Sequence, residues 1–117
     1  MTTIHVICKR QKEDATNLAA RIIESYGAKA EVFVDEASAR LLAYGKQLEI
    51  EHVGEGANLI VVLRGLRPRE RPIVQAVASR VVTCLACRSG MGKWAWARNA
   101  CPGIARISFL TSALAGS

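Results

Sequence analysis

Hydrophobic and polar positions follow two different spacings along this chain. Short apolar runs at residues 4–8, 30–34, 59–63, 81–86 and 104–110 are typical of strands. Between them, apolar residues recur three and four positions apart, which predicts helices over residues 12–26, 36–44, 72–79 and 91–100. Asp35 is favoured as a helix N-cap and Pro72 as a first helical residue, while Gly27 and Gly45 are expected to end helices.

The alternation of strands and helices is the pattern of a parallel sheet covered by helices on both faces. The run at residues 59–63 is apolar at every position, so we expect it to be a central strand. Residues 48–53 fit either a short edge strand or a continuation of the preceding helix. We therefore expect a single compact α/β domain over residues 1–117. It would be three-layered and doubly wound, with about five mostly parallel strands in a flavodoxin-like arrangement.

Composition argues against several classes of protein. Half of the 117 residues are hydrophobic and only 5% are aromatic, which is too apolar for an intrinsically disordered chain. No apolar run approaches the roughly 20 residues of a membrane-spanning helix. The N-terminus lacks the charged and apolar regions of a signal peptide. From these observations we expect a cytoplasmic protein that has no membrane partner.

Positive charge is concentrated where this type of fold binds ligands. The chain has 16 Lys and Arg against 10 Asp and Glu, which gives a formal charge of +6. Ligands of doubly wound folds bind at the carboxyl ends of the strands. Nine of the sixteen cations follow predicted strand ends: Lys9, Arg10, Lys12, Arg64, Arg67, Arg69, Arg71, Arg88 and Lys93. This distribution predicts an anionic small-molecule partner, phosphorylated or nucleotide-like.

The loops at this edge supply the candidate ligand-binding residues. Arg64 and Arg88 come first, because a guanidinium binds a phosphate or carboxylate through two hydrogen bonds. Residues 89–93 look like a phosphate loop but are not a Walker motif, since Cys87 and Trp94 stand where that motif needs Gly and Ser or Thr. No cofactor and no metal are implied. The predicted ligand-binding residues are Lys9, Arg10, Arg64, Arg67, Arg88, Ser89, Gly90 and Lys93.

Cysteine and histidine provide no catalytic assignment. Cys84 and Cys87 form a C-x-x-C, but positions three apart on a strand face opposite sides, which is poor geometry for a disulfide or a shared metal. Cys8 lies beside two cations that would lower its thiol pKa, so it is an alternative nucleophile. We expect His5 in the core of the first strand and His52 at the surface or at an edge. Whether the protein is an enzyme is left open.

Trp94 and Trp96 lie two residues apart on the helix predicted over residues 91–100. On a helix this spacing places them about 200° apart. One tryptophan would then enter the core and the other would remain on the surface unless a partner covers it. An exposed tryptophan on an apolar helix favours a subunit contact, so we expect a homo-oligomer formed through Trp94 or Trp96.

Taken together, the later segments resemble the aminoimidazole ribonucleotide carboxylase/mutase-like α/β family. Residues 57–62, leading through Gly65 to residues 72–76, look like that family's central strand, glycine-rich loop and following helix. Residues 81–86 and 89–92 look like its next strand and loop, and residues 100–105 like the entry to its last core strand. The catalytic motifs are missing. Residues 35–40 contain Arg40 but no histidine, and the first loop keeps only the acidic Asp14. The resemblance therefore implies the fold and a tendency to form oligomers, not the reaction.

Two alternative functions follow from the same features. The charge of +6 and the basic loop at residues 64–71 are consistent with a nucleic-acid-associated accessory protein. Against that reading, the sequence has no helix-turn-helix signature, no zinc finger and no aromatic stacking platform. The apolar surplus and the two tryptophans are consistent instead with an oligomeric interaction or inhibitor protein that binds no ligand.

Overall fold

The computed structural model of the protein describes residues 2–9, 13–78, 80–88 and 94–100. Within them, six strands form one sheet: β1 Thr2–Cys8, β2 Ala30–Asp35, β3 Gln47–Leu48, β4 Leu59–Leu63, β5 Val82–Arg88 and β6 Trp94–Ala100. The helices are α1 Glu13–Tyr26, α2 Glu36–Leu41 and α3 Arg71–Ala78, with a 3₁₀ turn at Ile50–His52. None of the helices in this part of the chain is long and apolar enough to cross a membrane.

The strand order is β3-β2-β1-β4-β5-β6. Strands β1 to β5 pair in parallel, and β6 pairs with β5 in the antiparallel direction. If the two-residue β3 is set aside, the remaining strands follow the 2-1-3-4-5 order of flavodoxin-like folds. The predicted α/β class and mostly parallel sheet are therefore confirmed. The two-residue β3 is an additional strand that pairs with β2, and β6 closes the other side of the sheet by pairing with β5.

The sheet separates two apolar cores, because side chains alternate between the faces of a strand. On the first face, Val6 and Val61 pack with Leu18 and Ile22 of α1, and α2 contributes Ala39. On the second face, Ile7, Ile60 and Val62 pack with Val74 of α3 and with Val53, which follows the 3₁₀ turn. All five residues of β4 are buried, as expected for a central parallel strand.

Asp35 is the N-cap of α2, as predicted. Its Oδ2 accepts a hydrogen bond from the Ser38 backbone N–H at 3.2 Å. The helix ends earlier than predicted, at Leu41 instead of Tyr44. Ala43 then takes a positive φ of 51°, and the Tyr44 hydroxyl donates a hydrogen bond to the Val32 carbonyl. Gly45 therefore lies beyond the helix end and does not cap it.

The ambiguous segment at residues 48–53 contains both kinds of structure. Leu48 pairs with Asp35 at the end of a two-residue strand, and the chain then turns through Ile50–His52 as a 3₁₀ helix. Neither single interpretation was complete, because the segment changes conformation within three residues.

The helix predicted over residues 91–100 is wrong, because β6 occupies Trp94–Ala100. Trp94, Trp96 and Arg98 alternate with alanines, which is the period of a strand, and the helical interpretation gave those alanines too much weight. Ala86 pairs with Trp96 and Arg88 with Trp94 in the β5–β6 ladder. The helical geometry from which the tryptophan interface was predicted is therefore absent. The strand predicted over residues 104–110 lies outside the described residues.

Candidate anion site at the carboxyl edge of the sheet

Strands β1 and β4 lie side by side, and the chain leaves them in opposite directions. From β1 it continues through α1 to β2, and from β4 through α3 to β5. Cys8 is level with Leu63 in the ladder, and the Lys9 N–H donates to the Leu63 carbonyl at 3.0 Å. In open α/β sheets ligands bind beyond the carboxyl ends of the strands at such a divergence, and we call this place at the ends of β1 and β4 the crevice. The candidate site is therefore centred on Lys9 and Arg64, the first residues after the two strands.

Arg64 is the first residue after β4 and has an unusual backbone conformation. Its φ is +71°, and the following Gly65 has a φ of +117°. A residue with a Cβ pays roughly 1 kcal/mol or more in the left-handed region, whereas glycine does not. The strain is local to the crevice, and unusual backbone at such a place is a reason to look for a ligand.

The Arg64 side chain is half-buried and incompletely bonded. Its Nε lies 3.6 Å from Asp14 Oδ1, an ion-pair distance that is too long for a hydrogen bond. Both side chains are 28% exposed. The Arg64 Nε is itself buried and has no hydrogen-bond partner. A buried donor without an acceptor costs about 1–3 kcal/mol, so an oxyanion placed in the plane of this guanidinium would satisfy an unmet bond.

Asp35, at the end of β2, fixes the backbone beside the crevice. Its Oδ1 accepts from the Cys8 N–H at 2.9 Å, and its Oδ2 accepts from Ser38 N–H. Burial first, and then the negative charge of Asp35, raise the pKa of the Cys8 thiol to about 12. The expected lowering of this pKa by neighbouring cations is therefore wrong. At neutral pH Cys8 is a buried thiol, not a thiolate nucleophile.

Arg67 is tied to Glu70 in a motif that starts α3. The Arg67 N–H donates to Glu70 Oε1 at 3.0 Å and its Nη2 donates to Oε2 at 2.8 Å, while the Glu70 carboxylate is only 2% exposed. Burial alone would raise the pKa of Glu70. The hydrogen bonds from Arg67 and the charges of Arg67 and Arg69 outweigh it and hold the pKa below its ordinary value. Arg67 thus has a structural partner that the sequence analysis did not assign.

The signal for this motif is present in the sequence. A glutamate three residues after the N-cap, whose side chain returns to the N-cap N–H, is half of a capping box. Here the same spacing occurs in the turn that precedes α3: the Glu70 side chain accepts from the N–H of Arg67, three residues earlier, and the helix begins at Arg71. Pro72, predicted as the first helical residue, instead lies one residue inside α3.

A groove of about 340 Å³ lies beside the crevice, between α2, the chain after β3 and the loop before α3. Its charges are mixed rather than basic. The charged residues that line it are Asp35, Glu36, Arg40, Glu49, Glu51, Arg67, Arg69 and Glu70. We call this the edge groove. Its five carboxylates balance much of the positive charge that the sequence placed at this edge.

The predicted ligand-binding residues fall into three groups. Lys9, Arg64 and Arg67 lie at the carboxyl edge as expected, with Lys9 exposed. Arg88 is the last residue of β5, the neighbour of β4, and so lies at the same edge. Arg10, Ser89, Gly90 and Lys93 lie outside the described residues. Within the described part of the chain, no group of three or more His, Cys, Asp or Glu residues is placed to hold a metal ion.

Comparison with known proteins adds no family to this description. No family model matches the chain, and no curated protein matches it. The resemblance to the aminoimidazole ribonucleotide family therefore stays a prediction.

Proposed function

We propose that this protein binds a small phosphorylated or nucleotide-like anion in the crevice between the ends of β1 and β4, with Arg64 as its principal contact. The observation that carries the proposal is the state of Arg64. It has a strained backbone at the switch point of the sheet, and its buried Nε lacks an acceptor. The proposal concerns binding and assigns no catalytic residue.

The electrostatics of the crevice favour an anion held by few contacts. Asp14 Oδ1 lies 3.6 Å from Arg64 Nε, so the carboxylate offsets the charge of the guanidinium but accepts no hydrogen bond from Nε. Lys9 adds an exposed cation at the end of β1. The Arg67 Nε is also buried without an acceptor, but Glu70 accepts from the Arg67 Nη2 and offsets more of its charge, so Arg67 contributes less than the sequence suggests. The expected ligand therefore has one phosphate group or a similar oxyanion rather than an extended polyanion.

The proposal is tested by calorimetric titration with inorganic phosphate, AMP and adenosine at constant ionic strength. We expect AMP and phosphate to bind and adenosine to bind at least tenfold more weakly. Arg64→Ala should weaken phosphate binding about tenfold or more, since a hydrogen bond to a charged group contributes about 1.5–3 kcal/mol.

Arg80→Ala is the matched control for this experiment. Arg80 is exposed and precedes β5, at the opposite edge of the sheet, so this variant removes the same charge away from the crevice. If Arg64→Ala and Arg80→Ala weaken binding equally, the anion responds to net charge alone and the proposed site is wrong. Absence of phosphate binding to the unmodified protein at low millimolar concentration would also overturn it.

A further inference from the structure

A second groove, of about 460 Å³, lies on the second face of the sheet, away from the crevice. Its floor is built by alternate residues of two paired strands, Thr3 and His5 of β1 and Glu31 and Phe33 of β2. Gln47 and Leu48 of β3 form one side and residues 49–56 the other. We call it the face groove. None of its described lining residues belongs to α1, α2 or α3, so this part of the sheet lacks the helical cover that hides the opposite face.

The charge of the face groove is opposite to that of the whole protein. Glu31, Glu49 and Glu55 line it, and none of its described lining residues is a lysine or arginine. The His52 ring lies close to two of these carboxylates. Its Nδ1 lies 3.0 Å from Glu55 Oε2 and its Nε2 lies 3.4 Å from Glu49 Oε2. On a chain of net charge +6, three carboxylates around one hollow make it a local attractor for cations.

His5 supplies the second and independent observation. It is only 5% exposed, and its Nδ1 accepts a hydrogen bond from the Gly54 N–H at 3.0 Å. Burial lowers the pKa of His5, so the ring is neutral at pH 7 and carries its proton on Nε2. That Nε2–H donates to no described residue. Among the described residues Arg64 Nε and Arg67 Nε are the buried side-chain atoms without a partner, so the His5 donor is open to the groove, where water or a ligand oxygen can accept from it.

Phe33 determines the shape of the ligand. Its ring meets the His5 ring edge to face, with centroids 5.7 Å apart and planes at 84°. Phe33 is half-buried and lines the floor, so it offers apolar surface between the carboxylates and the His5 donor. A ligand that fits all three features carries a cationic group, a compact apolar face and a neutral oxygen.

We propose that the face groove binds a small hydroxylated amine of the amino-sugar class. The ammonium group pairs with the glutamates, one hydroxyl oxygen accepts from His5 Nε2–H, and the C–H face of the sugar ring rests on Phe33. This site is independent of the anion site, because it lies on a face of the sheet and shares neither Arg64 nor Lys9.

The test is titration followed by amide chemical shifts, with three probes of similar size. Glucosamine has the amine and the hydroxyls, glucose lacks the amine, and cyclohexylamine keeps the amine but has no hydroxyl. We expect glucosamine to bind at least threefold more tightly than either of the others. The largest shift changes should fall on residues 3–5, 31–33 and 52–56.

Two matched variants separate the site from general charge effects. Glu31→Gln should weaken glucosamine binding about threefold or more, the effect of one exposed ion pair. Glu24→Gln should leave it unchanged, because Glu24 is exposed on α1, which packs against the first face. The proposal is overturned if glucosamine does not bind at 20-fold molar excess over about 0.5 mM protein. It is also overturned if glucose or cyclohexylamine binds equally well, or if the two variants behave alike.

Discussion

Arg64 combines an unfavourable backbone conformation with a buried side-chain donor that has no acceptor. Its φ of +71° is suited to glycine, and Gly65 follows with its own positive φ. Replacement of Arg64 by alanine removes the guanidinium and keeps the strain, whereas replacement by glycine removes both. We therefore predict that Arg64→Gly is more stable than Arg64→Ala by about 1 kcal/mol. Urea unfolding of the two variants measures the difference.

The two Arg64 variants also separate strain from binding. Both should lose phosphate affinity to the same extent, because neither carries the guanidinium. At an exposed helical position such as Asn17 of α1 the same pair of substitutions should rank in the opposite order, since glycine costs about 1 kcal/mol relative to alanine in a helix. Equal stability of Arg64→Gly and Arg64→Ala would show that the backbone at this position is not strained.

The pKa of Cys8 is raised by its surroundings in the fold, whereas its neighbours in the sequence predict that it is lowered. The thiol is 3% exposed, and burial and the Asp35 charge raise its pKa to about 12. We predict that iodoacetamide at pH 8 leaves Cys8 unmodified in the native protein. In urea the same residue should react at the rate of an ordinary thiol, and mass spectrometry of the digested peptides gives the extent of labelling. Rapid native labelling of Cys8 would show that it is accessible and ionised.

At the scale of elements, the start of α3 depends on a buried carboxylate. Glu70 accepts from both the backbone and the side chain of Arg67. Glu70→Gln should destabilise the protein by roughly 2 kcal/mol at pH 7, a figure already reduced because the Arg67 side chain is 31% exposed. Glu36→Gln, which breaks the exposed pair with Arg40, is the control and should cost less than about 0.5 kcal/mol. Urea unfolding at pH 7 compares the two.

The pH dependence of this element follows from the lowered pKa of Glu70. The folded protein holds the carboxylate ionised below its ordinary pKa of 4.5, so in acid the unfolded chain binds the proton first. The contribution of Glu70 is therefore fully present above about pH 4.5 and is lost as pH falls through the lower, folded pKa. The stability gap between the unmodified protein and Glu70→Gln should shrink from pH 7 to pH 3. A gap that stays constant would contradict the assignment.

The elements also show what the sequence alone can predict. Strands β1, β2 and β4 and helix α1 have long, regular periodicity, and their predicted bounds differ from the observed ones by at most two residues. Strand β6 is predicted as a helix because five of its seven residues are tryptophan or alanine, which occur in helices as well as in strands. What distinguishes them is pairing with β5, a tertiary contact that local spacing does not contain.

In the candidate site, too, the sequence predicts the features that depend on local spacing and not those that depend on tertiary contacts. The edge of the sheet where Lys9, Arg64 and Arg67 lie was predictable from the strand ends. The sequence also contains the three-residue spacing between Arg67 and Glu70, which is that of half a capping box. The positive φ of Arg64 and its unmet Nε were not predictable, because they depend on how β4 meets Gly65 and Asp14 in space. The face groove was missed for a similar reason, since its floor alternates between two strands separated by a helix.

At the scale of the whole molecule, positive and negative side chains are concentrated on different parts of the surface. The crevice presents Arg64 and Lys9, the edge groove balances five carboxylates against three arginines, and the face groove is acidic. The two grooves share Leu48 and Glu49, so the short β3 and the turn after it separate a mixed surface from a negative one. The net charge of +6 therefore describes neither groove.

The arrangement of the sheet predicts where the molecule is most stable. Strands β1 and β4 are paired on both sides and buried on both faces, whereas β3 has two residues and pairs only with β2 among the described strands. Amides of Val6, Ile7 and Val61 should exchange with solvent hydrogen only through global unfolding, and that of Leu48 through local opening. A ligand that binds only the folded protein raises the free energy of global unfolding, so phosphate should slow exchange of the first three amides by the factor 1 + [L]/Kd. Exchange of Leu48 should change far less, and native-state hydrogen exchange followed by NMR measures both. Equal slowing at all four amides would contradict local opening of β3, and no slowing at the central strands would contradict phosphate binding to the folded protein.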